Sequence, residues 1–120
     1  MPQTTLDAVL AALAEPVLIT DAEGAVTYAN PASVRRFGWD KLIGVPLAER
    51  AAQWAVRTPE QTRIAPLDDP IAVALATRRP VLERRGTIES VPGRREWFEA
   101  NTVPLVEGDR VLGAVCVSTT

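Results

Sequence analysis

Hydrophobic residues in the first fifteen positions recur with the period of an α-helix. Four of them share one helical face, at positions i, i+3, i+4 and i+7: Leu6, Val9, Leu10 and Leu13. Pro16 ends the pattern, because the residue before a proline avoids the α-helical region. A helix of about ten residues is too short to be stable alone. The pattern therefore predicts an amphipathic helix within residues 1–15 that packs on another surface, followed by a core domain over residues 16–120.

Short apolar runs separated by turn residues come next. Residues 17–20 and 25–29 are predicted to form a hairpin, with Gly24 placed to adopt a positive φ in the turn. Asn30-Pro31 is typical of a helix start, with asparagine as the N-cap and proline in the first turn. This helix is expected to end at Gly38.

The second half of the chain repeats the helix-start signal and then changes to strand patterns. Asp69-Pro70 predicts a helix that runs to about Thr77. Three strands follow, over residues 81–91, 96–105 and 111–118, with glycine-containing turns between them. The order of helix, two strands, short helices and three strands predicts a single α+β domain built on an antiparallel sheet.

Composition narrows the classes of function. The chain has 120 residues, 47% of them hydrophobic, and a net charge of −2, so we expect one folded domain without the positive charge that nucleic acids attract. The longest apolar runs are far below the ~20 residues that span a bilayer, and the N-terminus does not read as a signal peptide. Cys116 is the single cysteine, which excludes an internal disulfide and fits a reducing cytoplasm.

Histidine is absent from the sequence, which removes the usual general base, the commonest metal ligand and the usual haem ligand. The serines therefore lack a histidine partner for nucleophilic catalysis. Asp21 with Glu23, and Asp68 with Asp69, are candidate carboxylate pairs for acid–base chemistry. Because turn and helix-cap roles already account for Asp21, Glu23 and Asp69, we expect no enzymatic activity.

Four segments together resemble PAS domains of bacterial sensor kinases in two-component systems. They cover about residues 16–119, and their shared order and spacing are more specific than any one of them. The segments are PVLITD followed by Gly24 and YAN (residues 16–30), FGWDKLIG (37–44), PLDDPIAVAL with RPV (66–81), and the stretch from Trp97 to Leu105 with VLGAV (111–115). The resemblance implies the PAS fold, a five-stranded antiparallel sheet of order 2-1-5-4-3 with helices on one face around a pocket.

The sequence departs from the family pattern at its C-terminal end. Family members usually continue past the last strand into an Asp-x-Thr signal and a linker helix, whereas this sequence ends at Ser118-Thr119-Thr120. We therefore expect a domain excised from a larger bacterial, cytoplasmic signalling protein. Its output domain is expected to be a kinase, a cyclase or a similar unit.

The resemblance also bears on cofactors. Haem-binding PAS domains hold iron through a histidine, and photoactive LOV domains need a cysteine on a middle helix, whereas Cys116 is in the last predicted strand. Ile88, Phe98 and Val115 stand where LOV domains place the Asn, Asn and Gln that contact flavin, in the register set by the Gly93 turn. Both His-ligated haem and a LOV-type flavin adduct are therefore disfavoured.

An apolar pocket is the remaining candidate site. Strand alternation and the resemblance select a set of wall residues: Phe37, Leu42, Ile43, Trp54, Ile71, Leu75, Ile88, Phe98 and Val115. Tyr28 and Thr102 are candidate polar handles. The same residues are also compatible with ordinary core packing, so a small apolar ligand and a filled core both remain open. Three arginine pairs, at positions 78–79, 84–85 and 94–95, could hold an anion or lie in solvent beside glutamates.

The other face of the sheet is predicted to be partly apolar. If Val115 points toward the helices, Leu112 and Cys116 point away from them. Together with the helical face they form a predicted homodimer interface: Leu6, Val9, Leu10, Leu13, Leu112 and Cys116. The N-terminal helix could instead cover its own sheet. Two functions follow as alternatives, a ligand-sensing domain and a module for dimerisation and signal relay with a filled core.

Overall fold

A computed structural model describes residues 8–9, 12–46, 49, 56–91 and 93–119. Their strands are β1 (Val17–Thr20), β2 (Val26–Ala29), β3 (Val81–Val91), β4 (Arg94–Glu107) and β5 (Arg110–Thr119). The α-helices with given bounds are α1 (Pro31–Phe37) and α2 (Pro70–Thr77), and short 3-10 helices span Trp39–Leu42 and Pro66–Asp68. The order of these elements is the one that the sequence predicts.

The described residues include part of the predicted N-terminal helix. Ala8, Val9 and Ala12 are helical, and the side chains of Val9 and Leu13 are exposed. Leu6 and Leu10 lie outside the described residues, as does the predicted pocket residue Trp54. The amphipathic helix over residues 1–15 therefore stays a prediction.

The five strands form one antiparallel sheet in the order β2-β1-β5-β4-β3. This confirms the predicted fold and strand order. The first and last strands of the chain lie side by side at the centre, with Val17 paired to Val117 and Ile19 to Val115. The helices cover one face, which we call the inner face, and the opposite face is the outer face.

Both helices begin where the sequence predicts, because each has a side chain that caps its first turn. The Asn30 side chain accepts a hydrogen bond from Ser33 N at 3.0 Å, and Asp69 accepts one from Ile71 N at 2.8 Å. A proline follows each cap, where its missing N–H costs nothing. Helix α1 ends at Gly38, whose φ of 68° is the left-handed conformation that glycine tolerates.

Asn30 also ties α1 to the sheet. Its Oδ1 accepts a second hydrogen bond from Val17 N at 2.9 Å, and its Nδ2 donates to the carbonyl of Glu15 at 2.9 Å. The residue is fully buried, so these bonds replace ones that water would otherwise make. One side chain therefore fixes the start of α1 against the start of β1.

The hydrophobic core lies between the inner face and the helices. Phe37 and Trp39 stack with ring centroids 4.8 Å apart, and the guanidinium of Arg36 lies 5.2 Å from the Phe37 ring centroid. The buried cluster contains residues from both sides of the interface: Leu18, Val26, Phe37, Trp39, Leu42, Val56, Ile71, Ile88, Phe98, Ala100, Ala114 and Cys116.

The predicted orientations of Val115 and Cys116 are wrong. Cys116 is buried in the core cluster, whereas Val115 is partly exposed on the outer face. The cause is an extra residue in β5. Leu105 pairs with Gly113 and Val106 with Val111, which leaves Leu112 without an opposite residue. Such a β-bulge shifts the alternation by one position, so a count that passes through it reverses the two faces.

The outer face carries an apolar row across four strands. Tyr28, Ile19, Val115 and Val103 are consecutive register partners on β2, β1, β5 and β4. Each is at least partly exposed, and Leu105 and Leu112 add exposed apolar surface nearby. The outer face is therefore less polar than a fully solvated sheet face.

The free edge of β3 is partly closed by residues 56–64, which we call the edge segment. Arg57 N donates to Thr87 O and Thr87 N donates to Arg57 O, both at 2.9 Å. Ile64 N also donates to Val56 O at 3.0 Å, which folds the segment back on itself. The edge segment brings Val56 over the inner face, where it joins the core.

Candidate functional site

An apolar cavity of about 50 Å³ lies between the inner face and α2. Its wall is formed by residues from the sheet, from α2 with the turn before it, from the edge segment and from the first 3-10 helix: Leu18, Trp39, Val56, Asp69, Pro70, Ile71, Ile88, Phe98, Ala100, Cys116 and Ser118. A water molecule needs ~10–15 Å³ of such space, and an apolar cavity of ~150 Å³ binds benzene. The cavity therefore has room for a molecule of a few non-hydrogen atoms.

Strand register explains how the cavity floor is assembled. Cys116 pairs with Leu18 on one side and with Thr102 on the other, and Ser118 pairs with Ala100. Because side chains at paired positions point to the same face, these residues form adjacent rows on the inner face. The small side chains of Ala100 and Ser118 leave space beneath α2 that larger residues would fill.

Three polar residues line the otherwise apolar wall. The carboxylate of Asp69 accepts the N–H of Ile71 and so caps α2. Cys116 contributes a buried thiol, which is a weak hydrogen-bonding group. Ser118 is 2% exposed, and its N–H donates to Pro16 O at 2.9 Å. The chemistry of the wall thus favours an apolar guest with at most a small polar part.

The structure brings together some of the predicted pocket residues. Ile71, Ile88 and Phe98 line the cavity. Phe37 and Leu42 are buried in the core but do not line the cavity. Leu75 packs against the core from α2. Their positions match the predicted layer between sheet and helices.

Other predicted pocket residues lie elsewhere. Ile43 is 53% exposed, because the 3-10 helix ends at Leu42 and the Ile43 backbone bridges to Val26 at the sheet edge. Val115 and Tyr28 belong to the outer-face row. Thr102 is fully buried but does not line the cavity, and its hydroxyl has no hydrogen-bond partner among the described residues. Ile43, Val115 and Tyr28 are therefore not part of the cavity wall, which corrects those predictions.

Sequence reasoning missed much of the wall. The sequence predicts Cys116 on the outer face, and Leu18, Trp39 and Ser118 are not among the predicted pocket residues. The signal for Leu18 was its place in an apolar run before the Asp21 turn. No local pattern could have indicated Val56, because the edge segment reaches the cavity through pairing with a strand thirty residues later.

The arginine pairs lie in different surroundings. Arg78 and Arg79 are exposed beyond α2. On the late strands, Arg85 Nε lies 2.8 Å from a Glu99 carboxylate oxygen, and Arg94 lies 3.2 Å from Glu96. The hydrogen bond from Arg85 to Glu99 and the attraction of that carboxylate raise the pKa of Arg85. Arg85 and Arg94 therefore lie beside glutamates.

The described residues hold neither a metal-ligand cluster nor a membrane-spanning helix. No group of three or more cysteine, aspartate or glutamate side chains among them is arranged to hold a metal ion. No helix in the same part of the chain is long and apolar enough to cross a membrane.

Comparison with solved structures finds PAS domains over nearly the whole chain. The PAS domain of a Colwellia psychrerythraea protein is 16% identical, with a TM-score of 0.69 over 97% of this chain and 93% of that one. The PAS domain of nitrogen regulation protein NR(II) from Vibrio parahaemolyticus is 19% identical, with a TM-score of 0.67 over 96% of each chain. A PAS domain from a two-component sensor histidine kinase is 12% identical, with a TM-score of 0.62 over 97% and 93%.

Sequence comparison gives the family. No curated protein matches the chain significantly. A family model described as the PAS fold matches residues 10–120, which is most of the sequence. The match includes the sheet, both helices and every described residue of the cavity wall. The chain belongs to the PAS-fold family.

Proposed function

We propose that the chain is a sensory and signal-relay PAS domain that binds a small, largely apolar molecule in its inner cavity. The domain catalyses nothing itself. It passes the state of the cavity to an output domain, such as a kinase or a cyclase, in a larger cytoplasmic signalling protein of bacterial origin. Two of the similar structures are PAS domains from a nitrogen regulation protein and from a two-component sensor histidine kinase, which supports this setting.

The proposal is supported by the observation that β1 and β5 both contribute residues to the cavity wall. Leu18 on β1 and Cys116 and Ser118 on β5 are wall residues, and these two strands are paired at the centre of the sheet. The chain enters the sheet at the start of β1 and leaves it at the end of β5. A molecule in the cavity therefore contacts the two strands that continue into neighbouring parts of a longer protein.

The size of the cavity supports a compact ligand over a large cofactor. Its volume of about 50 Å³ is about one third of the ~150 Å³ that accommodates benzene. A haem macrocycle or a flavin ring system is several times larger than benzene. The proposal therefore includes neither cofactor.

We also propose that the domain works as a homodimer through the outer face and the N-terminal segment. The apolar row from Tyr28 to Val103 is the surface that supports this arrangement, because exposed apolar surface of this kind usually marks an interface. Leu112, which is exposed at the bulge, belongs to the same region. Cys116 is omitted, because its side chain lies in the core.

The ligand is tested by native mass spectrometry of the chain purified from the cells that express it, together with an absorbance scan. We expect a bound species of low mass and no visible absorbance band. Ala100→Leu is the matched variant, because the added atoms fill the cavity without adding charge. Its spectrum should contain only the unliganded mass. A visible chromophore, or a bound species that Ala100→Leu retains, would contradict the proposal.

A relay module with a filled core is the second candidate. The small volume of the cavity favours it, because a void of this size occurs in ordinary protein cores. The two candidates differ in whether any compact molecule enters. If neither a copurified species nor an added probe occupies the cavity, the relay module is the better description.

A further inference from the structure

Ser118 is a wall residue with a polar side chain. Its side chain is almost fully buried and lines the cavity. Among the described residues, no hydrogen bond is made by its hydroxyl, whereas its backbone N–H donates to Pro16 O. A buried hydroxyl without a partner is unfavourable, so this group favours a guest that supplies one.

The other two polar wall residues are less suited to that role. Asp69 Oδ1 is engaged at the first turn of α2, where a carboxylate also interacts favourably with the helix dipole. The Cys116 thiol forms only weak hydrogen bonds. No lysine or arginine is among the described wall residues, so an anion would be buried there without a counter-charge.

We propose that the cavity selects a neutral molecule of a few non-hydrogen atoms that carries one hydrogen-bonding atom, and that the Ser118 hydroxyl binds this atom. This inference rests on the proposed function, since it requires that the cavity takes a ligand. It adds a specificity-determining residue and a ligand class, that of short alcohols and similar small polar-ended molecules. A site that bonds one polar atom favours molecules that carry this atom over analogues that lack it.

The position of Ser118 also links a bound guest to the segment before β1. The same residue that contacts the guest donates its N–H to Pro16, immediately before β1. Pro16 follows Glu15, whose carbonyl is held by Asn30. A guest bonded to Ser118 therefore acts where the last strand meets the segment that leads into the first.

The test compares two compact probes, ethanol and xenon, by methyl and amide NMR of the whole chain. Xenon is apolar and reports on the cavity alone, whereas ethanol also offers a hydroxyl. In the wild type we expect both probes to shift the methyl signals of Ile71, Ile88 and Ala100. Ethanol alone should shift the amide signal of Ser118 strongly.

Ser118→Ala removes the hydroxyl at nearly constant shape. We expect the ethanol affinity to fall by about three- to tenfold, as for the loss of one hydrogen bond, while the xenon affinity changes by less than about twofold. Ser118→Thr keeps a hydroxyl, so it should retain the stronger response of its amide to ethanol. Ala100→Val fills the cavity and should weaken both probes, which confirms that they report on this space.

The outcomes separate the two proposals. Equal ethanol affinity in the wild type and Ser118→Ala, with xenon still bound, overturns the role of Ser118 and leaves cavity binding intact. Failure of both probes to shift any wall methyl in the wild type overturns cavity binding itself. If Ser118→Ala is misfolded, Ser118→Cys is used instead, with the same loss expected because a thiol bonds weakly.

Discussion

The carbonyl oxygen of Arg57 lies against Gly86 so closely that a β-carbon at position 86 would overlap it. The same β-carbon would come within 3.0 Å of the Phe98 ring. The close approach lets the edge segment pair with β3, and the pairing in turn places Val56 in the cavity wall. Glycine at position 86 therefore allows the edge segment to pair with β3 and to close the cavity with Val56.

Gly86→Ala is expected to destabilise the chain by about 1–3 kcal/mol, as overpacking does at close contacts. The edge segment must move outward, so the amides of Arg57 and Thr87 should exchange with deuterium faster than in the wild type. Urea unfolding and hydrogen exchange measure the two effects. Arg84→Ala, at an exposed position of the same strand, is the control and should stay within about 0.5 kcal/mol. Unchanged stability and exchange in Gly86→Ala would show that the contact is looser than described.

Asn30→Ala is expected to cost about 2–4 kcal/mol. It leaves the buried N–H groups of Val17 and Ser33, and the partly buried carbonyl of Glu15, without their partner. Urea unfolding gives the change in the free energy of unfolding. Asn101→Ala is the matched control, because Asn101 accepts a single bond from Glu83 N at an exposed site. A loss as small as that of Asn101→Ala would contradict the role of Asn30 as the link between α1 and β1.

The thiol of Cys116 should react slowly with a disulfide reagent in the native state. Because the side chain is buried in the core, we expect modification at least about a hundredfold slower than in unfolded protein, limited by opening of the fold. Val115→Cys, in a background of Cys116→Ala and Leu112→Asp that is expected to be monomeric, places the thiol on the partly exposed outer face and should react much faster than Cys116. The opposite ranking would restore the orientation that the sequence suggested.

The outer-face row should determine the oligomeric state. We expect the wild type to be a dimer by light scattering at micromolar concentration, and Val103→Asp and Leu112→Asp to be monomers. A carboxylate at an apolar interface loses hydration without a partner, which weakens association. Leu67→Asp is the control, because Leu67 is 84% exposed and lies on the helical side of the sheet. A monomeric wild type, or dissociation by the control, would count against the proposed dimer.

Local signals in the sequence were sufficient for most of the fold. Asn30-Pro31 and Asp69-Pro70 predict both helix starts correctly, because capping depends on neighbours within one turn of the helix. Gly24 has the predicted positive φ, at 87°. The strand order came from the resemblance to PAS domains, because pairing between distant strands has no local signal.

The cavity was harder to predict for two physical reasons. The bulge at Leu112 reverses the alternation along β5, so Val115 and Cys116 exchanged faces although β4 was assigned correctly at Phe98. The wall also includes Val56, which is placed there by backbone pairing of Arg57 with Thr87. A period-two pattern contains no information about a bulge or about a distant segment that closes an edge.

The pairing of β1 with β5 has a mechanical consequence. Val17 at the start of β1 faces Val117 near the end of β5, and the hydrogen bonds between the strands run across them. A force applied between the start of β1 and the end of β5 therefore breaks these hydrogen bonds one after another. It does not load all of them at the same time, as a shearing force would. The domain should therefore unfold at low force when it is pulled from these two points. The sheet would open first where β1 begins, beside the hydrogen bond from Ser118 N to Pro16 O.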